Sequence, residues 1–374
     1  MVSGFVTLIV FLFALGGMIF VHELGHFIAA RWAGIEVEEF GLGLPSYKLA
    51  TLFTWKGTEF TVHALLLGGF IRPKGENDPN VPGGLAAANP WKRLVVLFAG
   101  PLMNLITAIV VFSFLISFEG VPMPGSVKID SVSANSPAQQ AGMQADDILL
   151  AINGQSVTEV NSVITIIKAN LDKPVELLIE RNGEKVTLTA TPLSTRKASE
   201  GALGVGLGYR LGYQTRPATF IESVSGGFLA TGIQAASIVY IPIALIQGAV
   251  DPSTVRLSGF KGIFDMFGMT IREDISSRQE VAAAPAGASV PQPTNWTLSL
   301  IGMLSVTLGV MNLLPIPALD GGRILFTLPE ILFHKRIPAQ WENTVNGIAM
   351  LLLIGLMLFV NVMDFVNPAH IPIP

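Results

Sequence analysis

Residues 22 to 26 read His-Glu-Leu-Gly-His. On a helix, His22 and His26 stand four apart on one face, a spacing that suits two imidazole ligands on one zinc ion. Glu23, beside the first, is positioned to act as a general base on metal-activated water. The motif closes an apolar run, where two histidines and a glutamate within one turn are costly unless something polar binds there. A catalytic zinc commonly takes three protein ligands and leaves one position for water. The chain has no cysteine, so the third ligand must be another histidine or a carboxylate. His63, His334 and His370 fall in loops or tails, where ordinary solvated or hydrogen-bonding roles are expected. Asp320 differs. It ends the apolar run from Trp296 within Asn312-Leu-Leu-Pro-Ile-Pro-Ala-Leu-Asp-Gly-Gly322, where two prolines break the helix and two glycines permit tight backbone packing. Broken helices at membrane depth are expected where they line an enclosed or watery cavity.

The elements that carry these residues are membrane helices. Half of the 374 residues are apolar and only 13% are charged, against about 25% in soluble chains. The net charge of −4 gives no basic surplus, so nucleic acid is not an expected partner. The N-terminus is apolar but lacks a basic n-region and an Ala-x-Ala pattern, and reads as a retained helix rather than a signal peptide. Five stretches approach the roughly 20 apolar residues a crossing needs: Met1 to Val21, then one between Arg93 and Glu119, one between Glu222 and Asp251, Trp296 to Leu319, and Asn343 to Met363. Arg31, Lys48, Lys56, Arg72, Lys74, Lys92 and Arg93 lie between the first two, and Arg323, Lys335 and Arg336 precede the last. Positive loops stay cytoplasmic, which puts both termini outside and requires an even number of crossings.

Residues 123 to about 207 read as a soluble α+β unit. Val127 to Val132 and Ile148 to Ile152 are strands, Ser136-Pro137 opens a helix, and Gly142 stops it. Val160, Val163, Ile164 and Ile167 share a helix face. Val175 to Glu180 and Lys185 to Thr191 flank Asn182-Gly183, a hairpin signal. Ala282 to Pro293 is an Ala-, Gly- and Pro-rich linker.

The two chemical motifs, in this order, resemble those of the site-2 protease family of intramembrane zinc metalloproteases, and most closely its bacterial branch with an inserted PDZ domain. The resemblance spans nearly the whole chain. It implies His22, His26 and Asp320 as zinc ligands, Glu23 as the catalytic base, and Asn312 as a residue that holds the substrate backbone or the developing oxyanion. Gly100-Pro-Leu-Met-Asn104 fits a family element whose asparagine helps position substrate; an interhelical hydrogen bond is the other reading of Asn104. Phe40 to Arg72 resembles a membrane-associated β-hairpin, and its edge could capture an unwound substrate strand. Residues 125 to 154 look like a circularly permuted PDZ domain, with Leu203 to Gly206, including Gly204 and Val205, as the peptide-binding strand. Asp146-Asp147 stands where the family has Gly-Asp, and Phe260 stands where a proline is common.

The expected fold is therefore membrane α-helical, four transmembrane helices plus a membrane-associated β-hairpin at 36–72, with an inserted small α+β or β-sandwich PDZ-like domain. The expected divisions are 1–121, 122–215 (extracytoplasmic), 216–295 (juxtamembrane segment and linker) and 296–374. For His22, His26 and Asp320 to meet, their spans must both run inward, so Ser223 to Val250 is expected to lie along the interface or re-enter without crossing. The expected activity is hydrolysis of transmembrane segments or signal-peptide remnants, possible substrates being anti-sigma-factor-like proteins, in a bacterial inner membrane with the active site toward the cytoplasm. A non-catalytic PDZ adaptor would need a closed four-ligand metal site, and a metal transporter several sites along a path; the sequence offers neither.

Overall fold

Thirty residues, Gly4–Ala33, form the first helix, α1. The structure is a computed structural model that describes residues 4–65, 68–76, 78–122, 127–181, 184–195, 201–209, 215–250, 257–283 and 293–366. After α1 come strands β1 (Val37–Leu42), β2 (Lys48–Trp55), β3 (Thr58–His63) and β4 (Gly69–Pro73), then helix α2 (Pro90–Glu119). The inserted unit holds β5 (Val121–Pro122), β6 (Val127–Val132), α3 (Pro137–Gln140), β7 (Ile148–Ile152), β8 (Gln155–Ser156), α4 (Val160–Ala169), β9 (Val175–Arg181), β10 (Glu184–Ala190), β11 (Val205–Tyr209) and β12 (Thr215–Arg216). The chain continues through α5 (Phe220–Ile246), α6 (Phe260–Ala283), α7 (Trp296–Leu313), α8 (Asp320–Phe333) and α9 (Ala339–Val366). It divides into two compact units, Glu119–Ala218 and the remainder.

Among the described residues of the larger unit, five helices are long and apolar enough to cross a membrane: α1, α2, α5, α7 and α9. Small residues set their contacts, as expected where lipid removes any hydrophobic drive between helices. A Cβ on Gly25 would lie 2.4 Å from the Ala99 carbonyl oxygen, so α1 and α2 touch backbone to backbone. His22 meets Asn104 while His26 meets Val96, so the pair is antiparallel. Ser305 Oγ donates to the Asn104 carbonyl at 2.8 Å, and a Cβ on Gly302 or Gly309 would strike Phe112 or Pro101. Thus α7 is antiparallel to α2 and parallel to α1. Asn346 near the start of α9 accepts from the Ala318 N–H, whereas Asp364 near its end accepts from the N–H groups of Gly259 and Gly262. Helix α6 packs Phe267 on Phe11 and supplies Asp274, whose carboxylate accepts from the Trp296 and Thr297 N–H groups at the start of α7. It links the N-terminal half of α1, the N-terminus of α7 and the C-terminal end of α9. Helix α5 opens on a Thr219–Glu222 capping box and lays Gly227 against Ile109 and Ser113 of α2.

The segment expected as a hairpin is a four-stranded sheet of order β2-β3-β1-β4. Only β2 and β3 form a hairpin, around Lys56-Gly57; β1 pairs in parallel with β3 and antiparallel with β4. The larger sheet arises because Gly43 (φ 101°) and Gly68 (φ 145°) adopt backbone conformations open to glycine, and the Gly43 N–H donates to the Gly68 carbonyl at 2.7 Å. That folds β4 back beside β1. Leu67, part of the motif read there, lies outside the described residues.

In the inserted unit one six-stranded sheet has the path β10-β9-β7-β6-β11, with β8 paired to β7, and β5 pairs with β12. Alternation puts Val127, Ile129, Val175, Leu177 and Ile179 in its core. Ser136 caps α3 by accepting from the Gln139 N–H at 3.1 Å, with Pro137 in the first turn. Strands β9 and β10 pair around the Asn182-Gly183 turn, which itself lies outside the described residues, as do His370 and linker residues 284–292. Val163 and Ile167 of α4 are buried while Ile164 is exposed.

Candidate metal centre

Two imidazole nitrogens and a carboxylate oxygen meet in the larger unit. His22 Nε2 lies 3.1 Å from His26 Nε2 and 3.1 Å from Asp320 Oδ2, and His26 Nε2 lies 3.2 Å from Asp320 Oδ2. Asp320 Oδ2 is buried yet accepts no hydrogen bond. Two imidazole nitrogens and a carboxylate oxygen, each with a lone pair to offer and all this close together, fit a cation. Tetrahedral zinc with bonds of about 2.0–2.1 Å has ligand edges of about 3.3 Å, close to the triangle observed. Among the described residues, this is the group of three able to hold a metal.

Each corner is placed by local sequence. The histidines share a face of α1 through their i, i+4 spacing. His26 donates Nδ1–H to the Val96 carbonyl at 2.7 Å, which leaves Nε2 free for a metal. Gly100 of α2 makes room for this ring, since a Cβ there would lie 2.2 Å from His26 Nε2. Asn104, four residues on, is fully buried with Nδ2 3.2 Å from His22 Nδ1. Its amide therefore touches a histidine ring; it does not line the cavity.

Asp320 begins α8 where the chain doubles back. A Cβ on Gly321 would meet the Leu314 carbonyl at 2.1 Å, and one on Gly322 the Ile316 carbonyl at 2.4 Å. Both glycines are needed for the loop to fold over its own helix start. Ala318 sits at φ 75°, costly for an L side chain, and the Asn346 side chain accepts its N–H at 3.0 Å.

Glu23 Oε2 accepts the Ile71 N–H at 3.1 Å, which ties it to edge strand β4. A cavity of about 280 Å³ opens beside the cluster, lined among others by His22, Glu23, Ile71, Asn312 and Asp320. Asn312 donates its amide to the Leu308 carbonyl one turn back at 3.0 Å. Gly204 (φ 72°) and Val205 belong to the inserted unit, where Val205 starts edge strand β11.

His63, expected in a loop or tail with a solvated or hydrogen-bonding role, is buried in β3 and takes the hydrogen-bonding one. Its Nε2 is 3.0 Å from Glu39 Oε1, and Arg72 pairs with the other Glu39 oxygen at 2.9 Å. Strand alternation turns His63 inward, on the same face as Thr61. Burial alone would raise the Glu39 carboxyl, but Thr61, His63 and Arg72 outweigh it and hold the group below the ordinary range.

Sequence reading missed the main-chain contributors, the Ile71 N–H and the Val96 carbonyl, because backbone groups leave no residue signature. It also missed the ion pair Arg93–Glu330 and, lining the cavity, Arg323–Glu76. A buried arginine at the head of an apolar helix was the available hint for the first.

The protein-family model described as Peptidase family M50 matches residues 10–356. This chain belongs to that family. Membership makes it a membrane-embedded zinc metalloprotease. An inferred zinc metalloprotease of Clostridium perfringens is 33% identical over 96% of this chain and 98% of its own length. Another, of Clostridium acetobutylicum, is 30% identical over 98% and 99%. Metalloprotease MmpA of Caulobacter vibrioides is 28% identical over 96% and 95%. Among solved structures, the PDZ domain of an SdrC-like protein from Listeria monocytogenes aligns with 22% of this chain and 87% of its own, at 18% identity and a TM-score of 0.20, too slight a likeness to argue from.

Proposed function

We propose that His22, His26 and Asp320 hold the catalytic zinc of this M50 peptidase and that Glu23 is its general base, acting on a membrane-embedded polypeptide drawn out as a strand along β4. The convergence of three ligand atoms beside a second carboxylate, that of Glu23, carries this reading. Zinc bound there supplies Lewis-acid activation of water and of the scissile carbonyl. Glu23 takes the proton of the attacking water and passes it to the departing amine. With Oε2 anchored by the Ile71 N–H, Oε1 remains to receive that proton. A helical substrate hides its amides in its own i to i−4 bonds, so cleavage requires an unwound segment. The outer edge of β4 offers main-chain partners to such a segment, and the exposed Leu49, Leu52, Phe53 and Trp55 of β2 suit the sheet to a membrane surface. Asn312 would hold the substrate backbone by exchanging its bond to Leu308.

Four crossings, α1 and α7 inward and α2 and α9 outward, fit the helix directions. Helix α5 starts beside the C-terminal half of α2, and α6 starts beside the C-terminal end of α9, on one side of the bundle. A chain that leaves and resumes on one side crosses an even number of times, and a lone helix can then make no net crossing. This supports a non-crossing α5. With lysine- and arginine-bearing loops cytoplasmic, the inserted unit and both termini are extracytoplasmic. That unit would act as a PDZ-type filter of substrate ectodomains, with Gly204 and Val205 at the head of edge strand β11.

The test is cleavage of a transmembrane peptide by purified protein. Glu23→Gln should retain stoichiometric zinc while turnover falls by about 10²–10⁴-fold; cleavage at the wild-type rate refutes the assigned base.

A further inference from the structure

The two histidines face α2 in matched register: His26 meets Gly100 and Val96, and His22 meets Asn104. At His26 the tautomer is settled by geometry, because Nδ1 faces a carbonyl that can only accept. The structure sets the amide nitrogen of Asn104 against His22 Nδ1. A donor there would make Nδ1 the acceptor and put the proton on Nε2, between Asp320 Oδ2 and His26 Nε2. A protonated Nε2 has no lone pair for a metal. Amide oxygen and nitrogen are exchanged by a half-turn, and their assignment rests on the surrounding hydrogen bonds. Asn104 Oδ1 is buried and meets no donor where it stands, so the half-turn forfeits no bond from that atom.

We propose that Asn104 is a positioning residue of the metal centre: its side-chain carbonyl accepts from His22 Nδ1–H and thereby directs the His22 Nε2 lone pair at the zinc. Gly100 and Asn104 then form a template with the i, i+4 period of the histidines, one residue giving a ring its space and the other giving a ring its tautomer. The Ser305 hydroxyl, bonded to the Asn104 backbone carbonyl, docks α7 at the same turn. Acceptors of this kind commonly account for about 10–100-fold in metal affinity. The inference rests on the assignment of His22 as a zinc ligand.

The experiment is zinc affinity of the full-length protein in detergent, measured by chelator competition. Asn104→Leu, which keeps the volume but has no acceptor, should bind zinc about 10–100-fold more weakly. Asn104→Asp, which as a carboxylate keeps an acceptor and cannot donate, should bind zinc more tightly than Asn104→Leu. Nitrogen-15 resonances of His22 in the wild-type zinc-loaded protein should report a protonated Nδ1, a readout that survives if a variant fails to fold. Wild-type affinity in Asn104→Leu, equal weakening in both variants, or an unprotonated Nδ1 overturns the proposal. His22→Ala separates the two layers. Unchanged affinity there overturns the metal assignment itself, whereas its loss beside a wild-type Asn104→Leu overturns the role of Asn104 alone.

Discussion

The two units differ in what they expose and in what their buried polar residues do. In the inserted unit a cluster of Val, Ile and Leu fills the interior, and its buried Asp147 is fully engaged by Arg181 and the Gln144 N–H. The larger unit also buries apolar clusters, Phe11 with Phe267 and Phe27 with Phe40 among them, but it turns many more large apolar side chains outward and sets polar ones among its helices. Helix α9 states it most sharply: Leu351, Leu352, Phe359 and Phe365 are exposed, and its single buried residue is Asp364. Water drives apolar surface inward, at about 25 cal/mol per Å² buried. Lipid gives no such drive, and helices there associate through close packing and polar contacts. A buried polar residue in the first unit therefore closes a fold, whereas in the second it docks a helix, as Asp274 and Asp364 do, or lies at the candidate metal centre, as His22 and His26 do.

This contrast can be broken by substitution. The largest effect should come from the polar interior of the larger unit. Asp320→Ala should remove stoichiometric zinc and lower peptide cleavage at least about a hundredfold, read by metal analysis and turnover of a transmembrane peptide. Next, equal truncations should differ by location. Leu177→Ala, at a fully buried site, should cost the inserted unit about 3 kcal/mol, while Leu351→Ala, 71% exposed on α9, should cost less than about 1 kcal/mol. Amide-exchange protection in each unit measures both, and a comparable loss at Leu351 would show α9 to be buried against protein.

The smallest effect is electrostatic. Burial would raise the Asp147 carboxyl, but the Arg181 guanidinium and the Gln144 N–H hold it below the ordinary aspartate range. A depressed folded value means that this stabilisation is complete above the unfolded value and fades as pH falls through the folded one. Asp147→Asn should therefore cost about 2 kcal/mol at neutral pH, and the gap from wild type should narrow in acid. Exchange protection of β6 to β10 followed against pH checks the sign.

Much of this was legible along the chain. The inserted strands announce themselves by alternation, α3 by Ser136-Pro137, and the membrane helices by unbroken apolar runs. The Asp146-Asp147 pair is legible only in part: Asp146 takes φ 73°, which explains why a glycine suits that position, but the Asp147–Arg181 pair joins distant strands. The four-stranded sheet was read as a hairpin because the parallel β1–β3 pairing has no local turn to mark it. His63 was placed in a loop, with a solvated or hydrogen-bonding role; the hydrogen-bonding role holds, but its partner Glu39 was not legible because it sits on a strand separated from it by turns.

Sequence alone determined the chemistry available and the solvent of each segment: His-Glu-x-x-His on an apolar helix, a carboxylate behind two prolines, and no thiol to compete. These are local facts, written in residue type and period. Tertiary structure decided what met what: Asp320 with the histidines, Asn104 with His22, and the Ile71 N–H with Glu23. Such meetings depend on helix direction and close glycine contacts between segments far apart in sequence, and no periodicity within a segment encodes them.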